Sequence, residues 1–263
     1  MIVLVITLGV LAILHRDKPD DAETDTVTVV DDSDYEGTET EIAEEASVDS
    51  EPKPSFSEGI VLSNPDMIPD YVDDISVALN GNIPNFTDYE IETAVGEHYS
   101  ALDKFGRCGS AYAMIDESLM PTEGRGAIGQ IKPSGWNQEK YPGLVDSEPP
   151  YLYNRCHLIA YSLTGENANE CNLITGTRYF NANGMISYEM EVLDYVRETG
   201  NRVLYRVTPY FKGKEMVARG VEMEAYSVED QGAGICFHVF VYNIQPGIEI
   251  DYRDGSSKVR SEN

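Results

Sequence analysis

Between Tyr151 and Glu191 the chain reads YLYNRCHLIAYSLTGENANECNLITGTRYFNANGMISYEME, and several side chains there could do chemistry together. His157 ends an apolar-aromatic run, and a neutral imidazole can take a proton from water near pH 7. Asn181 offers a hard, neutral amide oxygen suited to one hard divalent cation that keeps most of its waters. Glu189 follows eight residues later, roughly 12 Å along a single helix. Both can serve one metal only if Glu189 acts through a metal-bound water or Asn181 sits in a bent first turn. Arg155 and Arg178 add guanidinium groups, whose paired donors match phosphate oxygens. Histidine, arginine, asparagine and acid are the set that a one-metal phosphodiesterase requires.

Positioning these residues takes a strand, a loop and a helix. Tyr151-Leu152-Tyr153 begins a strand that delivers His157, and a Gly/Asn-rich loop follows. The apolar positions Met185, Tyr188, Val192, Tyr195 and Val196 mark the buried stripe of a helix. Upstream, Ser76–Leu79 alternates as a strand, and Thr87-Asp88-Tyr89-Glu90 is a capping-box pattern that starts a helix ending before Gly106. SAYAMI after Gly109 and AIGQIKPSGW up to Trp136 read as strands. The loop between them carries Arg125, which with Lys132 is either a phosphate contact or ordinary surface charge. After Gly200 three β-patterned runs with short turns predict an antiparallel meander, containing a structural His238, and the polar tail after Tyr252 predicts fraying.

The tetrad Asn154-Arg155-Cys156-His157, the NLITGTRYFN segment and the acid of YEMEVLDYV together resemble the DNA/RNA non-specific endonucleases of the ββα-metal (His-Me finger) superfamily, in particular secreted bacterial DNA-entry nucleases. The likeness runs from about Ile75 to Tyr252 and is densest at the tetrad. It implies an α+β fold with a central antiparallel sheet and a ββα-metal motif on one side. It also implies metal-dependent hydrolysis of DNA and RNA with little sequence preference, leaving a 5′-phosphate. Catalytic roles fall on His157, Arg155, Asn172 and Glu189, metal binding on Asn181 and Glu189, and phosphate contact on Arg155, Arg178, Arg125 and Lys132. The expected ion is Mg²⁺, with Mn²⁺ as a substitute. The family's usual tetrad is Asp-Arg-Gly-His, so Asn154 lacks a negative charge and Cys156 adds a side chain.

The flanks differ in composition from this centre. Residues 1–14 are an unbroken apolar run, read as an export signal or anchor and placing the rest of the chain outside the cell or on its surface. Residues 16–59 are Asp, Glu, Thr, Ser and Pro, too polar to offset their ordering entropy, and predict a disordered acidic tether. Residues 60–263 then form the endonuclease domain, with any membrane link made by the first segment alone; no inhibitor or immunity protein is identified. The net charge of −27 means that any nucleic-acid site must be a small basic cleft on an acidic body. Among the remaining function classes, nucleotide-binding glycine fingerprints are absent, and the four cysteines lack zinc spacing.

In an exported chain four cysteines predict disulfides, with three full pairings open. A Cys108–Cys156 bridge between neighbouring strands is favoured, with Cys156–Cys171 as its competitor. Two other classes of function remain: a thiol hydrolase using Cys156 and His157, and a catalytically degenerate module that binds nucleic acid without cleaving it. The first is disfavoured because adjacent strand residues point to opposite faces.

Overall fold

The computed structural model describes residues 65–261. The apolar segment and the acidic tether assigned to residues 1–59 lie outside the described residues. In chain order come β1 (Ser76–Ala78), β2 (Glu97–Tyr99) and β3 (Ala111–Ile115), then a separate antiparallel pair, β4 (Tyr153–His157) and β5 (Leu173–Thr177). The predicted meander follows as β6 (Val203–Tyr210), β7 (Gly220–Ser227) and β8 (Cys236–Tyr242), and β9 (Ile248–Asp251) pairs with β10 (Ser256–Val259). The six-stranded sheet has the order β1-β8-β7-β6-β3-β2, every neighbour antiparallel. This is the central antiparallel sheet of an α+β fold.

The sheet sorts its side chains by the two-residue period of a strand. Val221, Met223 and Ala225 of β7 face the main core, where they join Cys156, Leu158, Phe180, Met185 and Val192. Glu222 and Glu224 take the other face and are buried as well. Their burial is tolerated because each carboxylate oxygen has a donor. Arg206 Nε reaches Glu224 at 2.7 Å and its Nη1 reaches Glu90 at 2.8 Å, while the Asn85 amide donates to Glu224 at 2.7 Å. Tyr210 donates to Glu222 at 2.7 Å, and Glu222 lies 2.6 Å from Nε2 of the fully buried His238, whose Nδ1 is 3.0 Å from the Ile83 carbonyl.

Of three helices, α2 (Tyr161–Thr164) and α3 (Ile186–Thr199) pack on the site side against the main core, and α1 (Asp88–Thr93) packs on the far face, where its Glu90 meets Arg206. α1 carries the predicted capping box between Thr87 and Glu90, but it stops at Thr93 rather than near Gly106. Gly96 at φ +57° turns the chain there into β2, a reversal that a side chain would resist. α2 follows β4, and α3 continues a π-helical segment, Phe180–Met185. The α3 stripe is as read from sequence, with Met185, Val192 and Val196 buried and Tyr188 and Tyr195 packed beside them. Gly200 in the left-handed conformation ends the helix. No helix among the described residues is long and apolar enough to cross a membrane.

Two expectations are corrected. AIGQIKPSGW forms turns and irregular chain, not a strand. Its Gly129 and Ile131 carbonyls accept hydrogen bonds from Arg155 rather than from a neighbouring strand. The tail after Tyr252 is not frayed over its whole length. Ser256–Val259 pairs with Ile248–Asp251, and Tyr153 donates to the Gly255 carbonyl at 2.9 Å.

Candidate active site

β4 carries His157 at its C-terminal end, where the residue is only 7% exposed. Nε2 lies 2.9 Å from the backbone carbonyl of Asn167. A carbonyl can only accept, so Nε2 holds the proton and Nδ1 keeps its lone pair. Arg125 Nη2 lies 3.4 Å from Nδ1 and is oriented to donate to it. Burial, aided by the Arg125 charge, lowers the His157 pKa to about 4 against the opposing pull of the Asn167 carbonyl. The imidazole is therefore neutral at pH 7, with its free nitrogen on the Arg125 side.

Asn172 fixes the turn that follows this histidine. It is fully buried, its Oδ1 accepts from the Ile159 amide at 2.9 Å, and its Nδ2 donates to the Ile159 carbonyl at 3.0 Å. Leu158 N also donates to the Asn172 carbonyl at 2.8 Å, so one residue clamps both positions after His157. With both side-chain atoms engaged, Asn172 holds the turn after His157 in place. Arg155 is likewise committed. It is 6% exposed, bonds to the Ile131 carbonyl at 2.5 Å and the Gly129 carbonyl at 2.8 Å, and lays its guanidinium 4.3 Å from the Trp136 ring centroid. Two of its donors are turned into the 129–136 segment, so a phosphate contact would fall to the rest of the guanidinium.

Arg125 is the cation placed at the His157 imidazole. Its loop is held by Tyr161, which donates to the Glu123 carbonyl at 2.8 Å, and by the close fit of Gly126 against the Asn167 side chain. Arg178 is half-buried, with Nε 3.3 Å from the Asp146 carbonyl, and Lys132 is exposed. Asn181 and Glu189 come from the π-helical segment and the first turn of α3. A π-helical turn packs an extra residue into each turn, so Asn181 and Glu189 sit closer along the axis than regular helix would put them. Glu189 is half-buried, and burial of its carboxyl raises the pKa to about 8 despite the counter-pull of Arg125. Among the described residues neither its carboxyl nor the Asn181 amide has a hydrogen-bond partner. A half-buried carboxyl without donors and an amide oxygen on the same helical segment are the types of group that suit a hydrated divalent cation.

The cysteines correct the disulfide expectation, since all four are free. The Cys108 thiol lies 3.3 Å from the Glu170 carbonyl and 3.2 Å from that of Leu173. Cys156 points instead toward Gly176 and Phe180: a Cβ on Gly176 would lie 2.5 Å from its sulfur. The missing side chain at Gly176 is what makes room for Cys156 in the tetrad. Burial also raises the pKa of the Cys156 thiol far above the ordinary range, which keeps it protonated and unreactive.

A family model described as DNA/RNA non-specific endonuclease matches residues 86–229, more than half of the chain. The chain belongs to the DNA/RNA non-specific endonucleases. This endonuclease is thus a hydrolase acting on nucleic acids. It is similar to NucA from Streptococcus agalactiae solved with magnesium bound, at 25% identity and a TM-score of 0.60, covering 70% of this chain and 87% of that one. With no metal bound, NucA matches at 26% identity and 0.62, covering 76% and 94%. The Sda1 nuclease solved with a zinc ion matches at 30% identity and 0.53, covering 64% and 83%. Metal-bound relatives direct attention to metal-ligating groups in this endonuclease. Glu222, Glu224 and His238 also bring potential ligand atoms within 4.8 Å of one another, but they lie on the far face of the sheet and those atoms already have partners. Sequence reading missed Asn167, whose contribution is a backbone carbonyl that no residue type announces. Trp136 was legible as the only tryptophan, though not as the platform for Arg155.

Proposed function

We propose that this endonuclease hydrolyses DNA and RNA phosphodiester bonds with little sequence preference, using one hydrated divalent cation. Asn181 would hold the ion, Mg²⁺ or in its place Mn²⁺, directly, with Glu189 acting through a bound water. When bound, the ion supplies charge stabilisation at the scissile phosphate and the leaving oxygen. His157 Nδ1 takes a proton from the attacking water, the water oxygen bonds to phosphorus, and the bond to the 3′-oxygen breaks. One product carries a 5′-phosphate and the other a 3′-hydroxyl, protonated from solvent. As substrate enters, Arg125 exchanges its long contact with Nδ1 for a phosphate oxygen, which exposes the base and places a guanidinium on the developing charge. Arg178 and Lys132 extend phosphate contact along the backbone. Asn172 and Arg155 keep β4 and the 129–136 segment in register around this centre.

The observation that carries this reading is the His157 Nε2 hydrogen bond to the Asn167 carbonyl, because it assigns the tautomer and frees Nδ1. Export supports the assignment of substrate: residues 1–15 act as a signal or anchor, residues 16–59 as a tether, and residues 60–263 work at or beyond the cell surface. The test is cleavage of plasmid and of RNA by the full chain, with Mg²⁺ and with EDTA. Both polymers should be cut with Mg²⁺ and neither with EDTA. Asn181→Ala should raise the Mg²⁺ needed for half-activity. An EDTA-resistant activity, or a wild-type Mg²⁺ dependence in Asn181→Ala, contradicts the proposal.

A further inference from the structure

The two ring nitrogens of His157 are met by different loops. On Nε2 the contact is the Asn167 carbonyl, at 2.9 Å. On Nδ1 it is the Arg125 guanidinium, at 3.4 Å. Asn167 lies just past α2, which ends at Gly165, and Arg125 lies in the 119–126 loop that follows β3. That loop docks along α2 and the turn beyond it. Tyr161, the first residue of α2, donates to the Glu123 carbonyl at 2.8 Å. Gly165 packs on the same loop, since a Cβ there would lie 3.5 Å from the Pro121 Cα and 3.6 Å from the Leu119 carbonyl oxygen. Gly126 closes against the Asn167 side chain, whose Nδ2 would lie 2.8 Å from an added Cβ.

The two contacts are not equally secure. A backbone carbonyl is fixed by the turn that carries it, whereas Arg125 is a long side chain on a stretch, 122–126, that is exposed throughout. Holding such a side chain at one nitrogen costs rotamer freedom, so its place depends on how firmly the loop beneath it is anchored. We infer that Tyr161 is a positioning residue whose hydroxyl anchors the 119–126 loop on α2 and so sets Arg125 at the free nitrogen of His157. One short helix and the turn after it then fix both the tautomer of the imidazole and the cation beside it. This rests on the proposed roles of His157 as base and of Arg125 as the group that yields Nδ1 when substrate enters.

The experiment compares the full chain with Tyr161→Phe, Arg125→Gln and the double variant. It follows the His157 ring nitrogens by NMR through a pH titration of the metal-free protein, with a His157→Gln spectrum to pick that residue out of the four histidines. It also measures kcat/KM for plasmid nicking at saturating Mg²⁺. Burial and then the Arg125 charge hold the His157 pKa down. Arg125→Gln should therefore raise it by about one unit, the low end for a neighbouring charge, and Tyr161→Phe by part of that. Tyr161→Phe should lower kcat/KM about two- to tenfold, the range for one lost hydrogen bond. The double variant should match Arg125→Gln in both readings, because Tyr161 acts through that arginine. A hydroxyl that merely stabilised the fold would leave the His157 pKa unmoved, and that result overturns the inference. Effects of Tyr161→Phe that persist undiminished in the Arg125→Gln background also overturn it. If the pKa moves as expected while every variant nicks plasmid at the wild-type rate, Tyr161 positions Arg125 and the reading of His157 as base is what fails.

Discussion

At the scale of single residues, His157 is held neutral by its surroundings, and that has a thermodynamic consequence. Its folded pKa, about 4, lies below the ordinary 6.5 of the unfolded chain. Between these values the unfolded state takes the proton first. The contribution of His157 to stability is therefore complete above about pH 6.5, falls as pH drops through that window, and is lost below about 4. The difference amounts to about 3 kcal/mol for this 7%-exposed side chain. Urea unfolding at pH 7 and pH 4 should show that His157→Gln loses about that much of the wild-type pH dependence. Identical dependence in the two proteins would place the imidazole in water. Arg155 has a structural duty beside its proposed phosphate contact. Arg155→Lys cannot reproduce two hydrogen bonds and a stacked plane. It should destabilise by about 1–3 kcal/mol and change Trp136 fluorescence, with little change in salt dependence. A variant that keeps its stability and loses substrate affinity would leave the phosphate contact as its role.

At the scale of elements, β4 and β5 form a fitted pair in which Cys156 occupies the space left by Gly176. Gly176→Ala places a methyl 2.5 Å from the Cys156 sulfur and 2.6 Å from the Phe180 ring. It should cost about 1–3 kcal/mol by overpacking. Cys156→Gly in the same chain should recover part of that loss, and strictly additive chemical-denaturation energies would argue against the fit. This compensation shows how the tetrad's departure from its usual glycine is accommodated, by a residue twenty positions away that sequence spacing does not link to it. The meander, the capping box at Thr87 and the α3 stripe were legible because each follows a period or a local hydrogen-bond pattern. The 127–136 segment was not, because its apolar alternation is overridden by a side chain from β4 that claims its carbonyls. The β9–β10 hairpin was hidden for the opposite reason. Ser256, Ser257 and Lys258 give no apolar alternation, and the hairpin is held by backbone pairing and by Tyr153. The disulfide expectation rested on cysteine count and compartment, neither of which fixes where side chains point. Of the site, the residues gathered in the tetrad and α3 were legible by type. The free nitrogen of His157 and the hydrogen bonds made by Asn172 and Arg155 required coordinates.

At the scale of the whole molecule, an acidic chain must meet a polyanion through a few local cations. Arg125, Arg178 and Lys132 are the cations proposed for phosphate, so few counterions are displaced on binding. A His157→Ala protein held in EDTA should bind duplex DNA with a log–log salt slope of about −3, reading about 0.9 per phosphate neutralised. A slope near −7 would call for a basic surface that these three residues do not provide. His157 is proposed to be the base with which this fold hydrolyses nucleic acid. The most direct measurement is the rate of plasmid nicking at saturating Mg²⁺ by the wild-type full chain and by His157→Ala, with circular dichroism confirming that both are folded. The variant should be slower by at least about 10²-fold, the contribution of a positioned general base. A folded His157→Ala protein that nicks plasmid at the wild-type rate would remove His157 from the chemistry.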